Sequence, residues 1–348
     1  MNRHQIAVSR IRLLAILVFF ISVLVVPACA PQPGNCDREN VFCVGLVTAY
    51  DGIDDHGLNQ AAWEALQNTK SQAQIARLDK IESIDPRDWE KNIGFFAEKN
   101  YDVIVAVGRE LSETMVAAAN KYSGSLFVGI DQELDEEYDN VATINFAEEQ
   151  AGFLAGILAA IVTESDKVGA VCETSGIDTV RQYCEGFRAG ASYENENVRV
   201  LVSYRENQSR DDIFNDPEWG KSRALSLFDS GVDVITGYGG NTAQGAYLIA
   251  SEEGILIIGA EEDLYFHLPD VQPDLITSMI NDPSAELSNL VVRASQGEMP
   301  AGSYAGQIKY APFRGPHQEI EADIHIKMED VLQKIANGDI ELDFSPKE

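Results

Sequence analysis

Along most of this chain, short apolar runs rich in β-branched residues alternate with stretches in which apolar side chains recur three and four residues apart. The first pattern fits strands buried on both faces; the second fits helices with one apolar stripe. Val41–Thr48, Val103–Val107, Leu126–Ile130, Lys167–Cys172, Val198–Tyr204, Val234–Thr236 and Leu256–Gly259 predict strands. Asn59–Lys70, Asp85–Asn100, Ser112–Tyr122, Ala147–Thr163, Thr179–Glu194, Lys221–Ser230 and Asn241–Glu253 predict the helices between them. Repeated βα units imply an α/β fold with parallel sheets covered by helices on both faces. A chain of 348 residues is large for one core, so two such lobes fit better. Near the end, Met328–Gly338 predicts a helix closed by Gly338, while His325 between Ile324 and Ile326 reads as an outward strand position.

One apolar run breaks the alternation. Leu13 to Val26 follows Arg3, Arg10 and Arg12 and leads into Pro27, Ala28 and Cys29. A charged segment, a short apolar segment and a small residue form a secretory signal, and the run is too short to span a bilayer comfortably. Val26-Pro27-Ala28-Cys29 resembles a bacterial lipobox. The expectation is a signal peptide over 1–28, lipid on Cys29, and a tether over 29–36 that holds an extracytoplasmic domain to the cell membrane. Four further cysteines remain: Cys36, Cys43, Cys172 and Cys184. An even number in an exported chain suggests disulfides. Three pairings are open, and the local pairs 36–43 and 172–184 are favoured because they close small loops.

Charge narrows the partners. The formal net charge is −30, and beyond residue 28 there are 23 basic against 56 acidic residues, or −33. A field of that sign repels nucleic acid and phosphorylated ligands. The chain contains no G-x-S-x-G elbow and no H-E-x-x-H. Its five histidines are scattered, and neither a metal nor a cofactor is indicated.

In open α/β sheets, ligands sit beyond the carboxyl ends of the strands. The segments there are Ala49 to Gln60, Gly108, Gly129-Ile130-Asp131, Gly237 to Thr242, and Gly259 to Asp263. Asp55 and Asn59 could cap the helix that follows or face a ligand. Gly108 lets the backbone approach something closely. Asp131, and an acid after Gly259, could accept hydrogen bonds from ligand hydroxyls. The glycines before Asn241 could cradle an anion at a helix N-terminus, or simply form a tight turn.

Several ordered segments resemble the basic membrane lipoprotein family, which includes purine-nucleoside-binding lipoproteins of ABC importers. They are GLVTAYDGIDDHGLNQAAWEAL, YDVIVAVG, LFVGID, NFAEEQAGFLAG, VRQYCEGFRAGA, GVDVITGYGGNTAQGA and the closing IANGDI, spread from about Val44 to Leu342. The resemblance implies a type I periplasmic binding fold of two doubly wound parallel-sheet lobes joined by a hinge. Lobe one is expected at 37–145 plus 278–299, and lobe two at 146–277 plus 300–348. It also implies a nucleoside or similar neutral polar small molecule as ligand, ABC permease and ATPase partners, and a monomer. Positions matching the family's ligand contacts are Asp55, Asn59-Gln60 and Asp131. The family's stacking aromatic is Leu58 here, an early Asp is Ala49, the final Asp of V-I-G-x-D is Glu261, and a return-strand Lys is Asn281. The aromatic of the second lobe matches Tyr183. The expected ligand set is Tyr50, Asp55, Leu58, Asn59, Gly108, Asp131, Tyr183, Tyr238, Gly239, Glu261 and Asn281. Tyr50, Tyr183 or Tyr238 would supply the stacking ring lost at Leu58. A ligand sensor of the same fold, and an extracytoplasmic nucleoside-processing enzyme, are the alternative readings.

Overall fold

The computed structural model describes residues 36–38, 41–49, 52–206, 213–314, 321–342 and 344. The export segment, Cys29, most of the tether and Tyr50 lie outside the described residues. The first half of the chain forms β1 (Phe42–Thr48), α1 (Leu58–Thr69), β2 (Ile75–Glu82), α2 (Trp89–Ala97), β3 (Val103–Val107), α3 (Ser112–Lys121), β4 (Leu126–Ile130) and β5 (Val141–Asn145). Then come α4 (Glu148–Val162), β6 (Lys167–Cys172), α5 (Asp178–Glu194), β7 (Arg199–Tyr204), α6 (Pro217–Asp229), β8 (Val234–Tyr238), α7 (Gly240–Glu252) and β9 (Leu256–Gly259). The chain closes with α8 (Leu264–His267), β10 (Leu275–Asp282), α9 (Ser284–Ser295), β11 (Gly302–Ala305), β12 (Gln307–Tyr310) and α10 (Glu321–Ala336).

Two six-stranded sheets result, ordered β11-β5-β4-β3-β1-β2 and β12-β10-β9-β8-β6-β7. The first is parallel throughout. The second is parallel except for β12, which runs antiparallel to β10. Strands β3, β4 and β8 are buried along their whole length, as their unbroken apolar sequences require. Each sheet carries a hydrophobic core on both faces. The strand order reverses between β1 and β3 and again between β6 and β8. These are the two points where an open sheet leaves a crevice for a ligand.

The pairing moves the expected lobe boundaries. β10 belongs to the second sheet through its pairs with β9 and β12, so the return to the first sheet starts after Asp282 rather than at Ser278. β11 pairs with β5 in the first sheet, so that return extends past Met299 to Ala305. Backbone pairing, which composition does not reveal, decides both ends. At the last crossing Gly306 N–H donates to Asn145 O at 2.8 Å. A Cβ on Gly306 would lie 2.2 Å from the Phe146 ring.

Other expectations shift for local reasons. β2 (IARLDKIE) was not legible as a strand, because it is an edge strand with most positions half-exposed. His325 is not on a strand but on α10, which begins ahead of the expected Met328. Ile324 is buried there and Ile326 is 68% exposed, so an apolar pair two apart does not mark a strand in this segment. Both local cysteine pairs are disulfides, Cys36–Cys43 and Cys172–Cys184. The second ties α5 to the carboxyl end of β6.

Helices α4 and α5 meet at backbone distance. Gly152 and Gly156 face the carbonyls of Tyr183 and Phe187, where a Cβ would come within 1.9 and 2.1 Å. Gly186 and Gly190 face the carbonyls of Glu149 and Phe153 at 2.4 and 1.9 Å. No side chain fits such gaps without moving a helix. Gly152→Ala is therefore expected to lower stability by about 1–3 kcal/mol in denaturant unfolding. Gly94→Ala, a helical position with nothing within 4 Å of the added carbon, should be neutral or stabilising by about 0.4–1 kcal/mol.

Candidate functional site

The carboxyl ends of the two sheets face one cavity of about 430 Å³. The first lobe lines it with Ala49, Asp55, Leu58, Asn59, Val107, Gly108, Arg109, Glu110 and Asp131. The second contributes Phe214, Gly237, Gly240, Ala243, Gln244, Tyr247, Ala260, Glu261, Glu262, Leu264 and Asn281. Of the expected ligand set, Asp55, Leu58, Asn59, Gly108, Asp131, Glu261 and Asn281 are brought together on this wall.

The first-lobe residues are held by the loops that end β1, β3 and β4. The Asp55 carboxylate accepts the N–H groups of Gly57, Asn59 and Gln60 at 3.0, 3.0 and 2.9 Å. It thus satisfies free donors of the first turn of α1, and the capping reading of Asp55 holds. Gly108 adopts φ +109, and a Cβ there would meet Ala49 Cβ at 2.9 Å. The buried Gln132 clamps the loop by donating to the carbonyls of Ala106 and Gly108 at 3.1 and 2.9 Å. Arg109, which the sequence reading passed over, donates from Nε and Nη2 to Asp131 Oδ2 at 3.1 and 2.9 Å. The two side chains keep 45% and 24% of their area open, but they line the cavity, where protein atoms crowd the charge. Burial pushes the Asp131 carboxyl up despite the adjacent guanidinium.

The second lobe repeats the device. Glu261 follows β9 as Asp131 follows β4, and both take a left-handed backbone, φ 70 and φ 58. Such conformations cost energy in non-glycine residues and cluster at binding sites. Burial raises the Glu261 carboxyl to about 7, with Arg109 opposing and Glu262 and Asp131 adding to the rise. Behind it lies Glu148, on the first turn of α4 and 3% exposed. Burial, then the nearby Glu261, raises its carboxyl to about 8. Asn281 Nδ2 donates to Glu148 Oε1 at 3.0 Å across the segments that join the lobes.

Three expected residues do not line the cavity. Tyr183 is fully buried, its hydroxyl bonded to Thr236 Oγ1 at 2.8 Å, while Thr236 donates to the Ile258 carbonyl. Its ring packs 4.7 Å from that of Tyr238, which is 2% exposed. Both rings are thus used in the core and stack on nothing in the cavity. Gly239 takes φ +135 because a Cβ would fall 2.5 Å from that of Glu173. The anion cradle at the start of α7 is also closed, since Asn241 N–H donates to the Phe214 carbonyl and Thr242 Oγ1 accepts from Asp216 N–H.

Phe214 is the aromatic that the sequence reading missed. Its loop is fastened by Arg205, which donates to Glu173 Oε1 at 2.9 Å and Asp216 Oδ2 at 2.8 Å. Asp216 Oδ1 in turn caps α6 through Trp219 N–H. Between the lobes, His56 of the first stacks on Phe266 of the second, with ring centroids 4.0 Å apart and 15° between planes. Arg314 lies 5.0 Å from the Phe266 centroid and is held by both Asp263 oxygens.

Two predictions follow from this geometry. Arg205→Met leaves the fully buried Glu173 without its cation and should cost about 3–5 kcal/mol in stability, measured by urea unfolding. Glu148 and Glu261 titrate above the ordinary glutamate value of 4.5, so the folded chain holds protons that the unfolded chain releases. Their contribution to stability is full below about pH 4.5 and is lost as pH rises through about 7 to 8. Glu148→Gln should flatten the fall in melting temperature between about pH 5 and pH 8; an unchanged slope would remove this account.

Comparison with known proteins places these features. The family profile for PnrA-like ABC transporter substrate-binding proteins (Bmp) matches residues 42–341. A CD4+ T-cell-stimulating antigen of Listeria innocua is 27% identical, covering 96% of this chain and 98% of the relative. The ABC transporter nucleoside-binding protein BmpA of Lactococcus lactis is 24% identical over 87% of this chain and 88% of its own length. Among solved structures, an ABC transporter solute-binding protein from Conexibacter woesei superposes with TM-score 0.70 at 19% identity. It covers 87% of this chain and 99% of that one, and shares the fold of two parallel-sheet α/β lobes. With its family profile matched over both sheets and its cavity at their facing ends, the chain belongs to the PnrA-like substrate-binding proteins of ABC transporters.

Proposed function

We propose that this chain is the lipid-anchored, extracytoplasmic substrate-binding protein of an ABC importer, and that it captures a nucleoside in the cavity between its lobes. The observation that carries the reading is the cavity itself, of a size suited to a small molecule and lined from both lobes by polar and apolar groups in similar share. Phe214 and Leu58 would flank a heterocyclic ring, in place of the expected tyrosines. Asp131 and Asn59 would take ligand hydroxyls, and Arg109 would hold Asp131 ionised for that role. The Lactococcus lactis relative named as nucleoside-binding supports the ligand class. Closure of the lobes on the ligand is the state a permease and its ATPase would read, and a monomer suffices for it. Among the described residues, no helix is long and apolar enough to cross a membrane; the lipobox-like Val26-Pro27-Ala28-Cys29 is what supports anchoring through Cys29.

A thermal-shift panel of nucleosides, free bases, pentoses and amino acids tests the ligand class. A nucleoside at 100 times its dissociation constant should add about 2.7 kcal/mol of stability; silence with every nucleoside would overturn the assignment. Phe266→Ala removes the aromatic contact between the lobes and should speed ligand dissociation about two- to tenfold, with little change in association. Cys29→Ser should move the protein from the membrane fraction to the soluble one.

A further inference from the structure

The hinge end of the cavity gathers carboxyl groups that its own residues could not balance if they ionised. Arg109 is the sole lysine or arginine lining the cavity among the described residues, and it is already engaged with Asp131. Asp55 is committed to capping α1, and Glu262 faces His267 Nδ1 at 3.2 Å. Glu261 then stands on the cavity wall with the buried Glu148 behind it. Asn281 lies beside them, and its amide nitrogen is committed to Glu148. That bond leaves Asn281 Oδ1 as an acceptor at the wall.

A second observation points to a missing occupant. Tyr238 is 2% exposed and its hydroxyl makes no well-formed hydrogen bond, though it lies close enough to Glu148 and Glu261 to lower both carboxyls. The charges acting on it most strongly are those of Glu148 and Glu261, followed by Arg109 and Asp131. A buried hydroxyl left unpaired costs about 1–3 kcal/mol. It could donate to either carboxylate once that group is ionised and drawn into place by a positive charge.

We propose that the hinge end of this cavity is a cation site, where a positively charged nitrogen of the ligand docks on Glu261 and Asn281 Oδ1, with Glu148 adding its field from behind and Tyr238 completing the carboxylate contacts. The proposal rests on the ligand-binding reading above and adds to it the charge of the ligand. A neutral ligand leaves two carboxyls crowded in a poorly solvated end of the cavity, where they resist ionisation. A cationic ligand replaces that cost by a charge-assisted hydrogen bond. The groups facing the pair from neighbouring elements are Arg109, Asp131, Glu262 and Tyr238. Burial already raises the two carboxyls to about 8 and about 7, so binding a cation should release protons near neutrality.

The test is calorimetric titration of the mature protein with 1-methyladenosine, whose ring is cationic at neutral pH, and with its uncharged isomer N6-methyladenosine. Agmatine serves as a cation without a nucleoside. The expected result is about tenfold tighter binding of 1-methyladenosine than of the isomer. That preference should grow from about pH 6 to about pH 8, with proton release detected as a buffer-dependent heat. Glu261→Gln, which removes charge while nearly keeping shape, should weaken 1-methyladenosine about tenfold more than N6-methyladenosine and so abolish the preference; a merely structural role would weaken both alike. Equal or tighter binding of the neutral isomer overturns the cation site and leaves the nucleoside reading standing. Binding of agmatine with silence from both nucleosides keeps the cation site and overturns the nucleoside reading. No binding by any of the three overturns both.

Discussion

The contact on which the cleft depends is the backbone approach of α4 to α5. Four glycines remove the side chains that would hold these helices at ordinary separation. α4 begins three residues after β5 ends, at the first crossing between lobes, and its first turn carries Glu148. Its seating against α5, which Cys172–Cys184 also ties to the second sheet, therefore sets where that carboxyl meets Asn281. The helix is buried over most of its length, so Glu148 cannot swing out to water. A packing constraint in the core thus becomes an electrostatic condition in the cleft.

The cleft applies one arrangement twice. In each lobe an acid follows the same strand of the sheet, in a backbone conformation that holds its side chain at the crevice. In the first lobe the acid meets a guanidinium; in the second it meets another acid and a tyrosine hydroxyl. The two walls are consequently different in kind, one balanced and one short of positive charge. Between the lobes, Phe266 meets the His56 ring and the Arg314 guanidinium.

Much of the fold was legible in the chain. Strands β1, β3, β4, β6 and β8 are short apolar runs buried on both faces, and such runs have few alternatives in water. The local cysteine pairs were legible from loop size. Edge strands were less so: β2 alternates weakly because at the sheet edge most of its positions are half-exposed rather than sorted into a buried and an open face, and α10 conceals its start because Ile324 and Ile326 lie on different sides of a helix. In the site, Asp131, Glu261 and Gly108 could be found because they directly follow buried strands. Arg109 was within reach of the same rule. Phe214 was not, since a loop without periodicity gives no sign of where it folds back.

The sequence by itself determined the βα alternation, the family and the acids at the strand ends, because each is written in contiguous residues. Only the tertiary structure decided which aromatic reaches the cavity and which stays in the core. Tyr183 and Tyr238 were as eligible as Phe214 until the hydroxyl of the first met Thr236 and the two rings packed on each other. It also decided the protonation of Glu148 and Glu261. A carboxyl's charge depends on the atoms around it, and those atoms come from β3, β4, β8, β9 and β10, far apart along the chain.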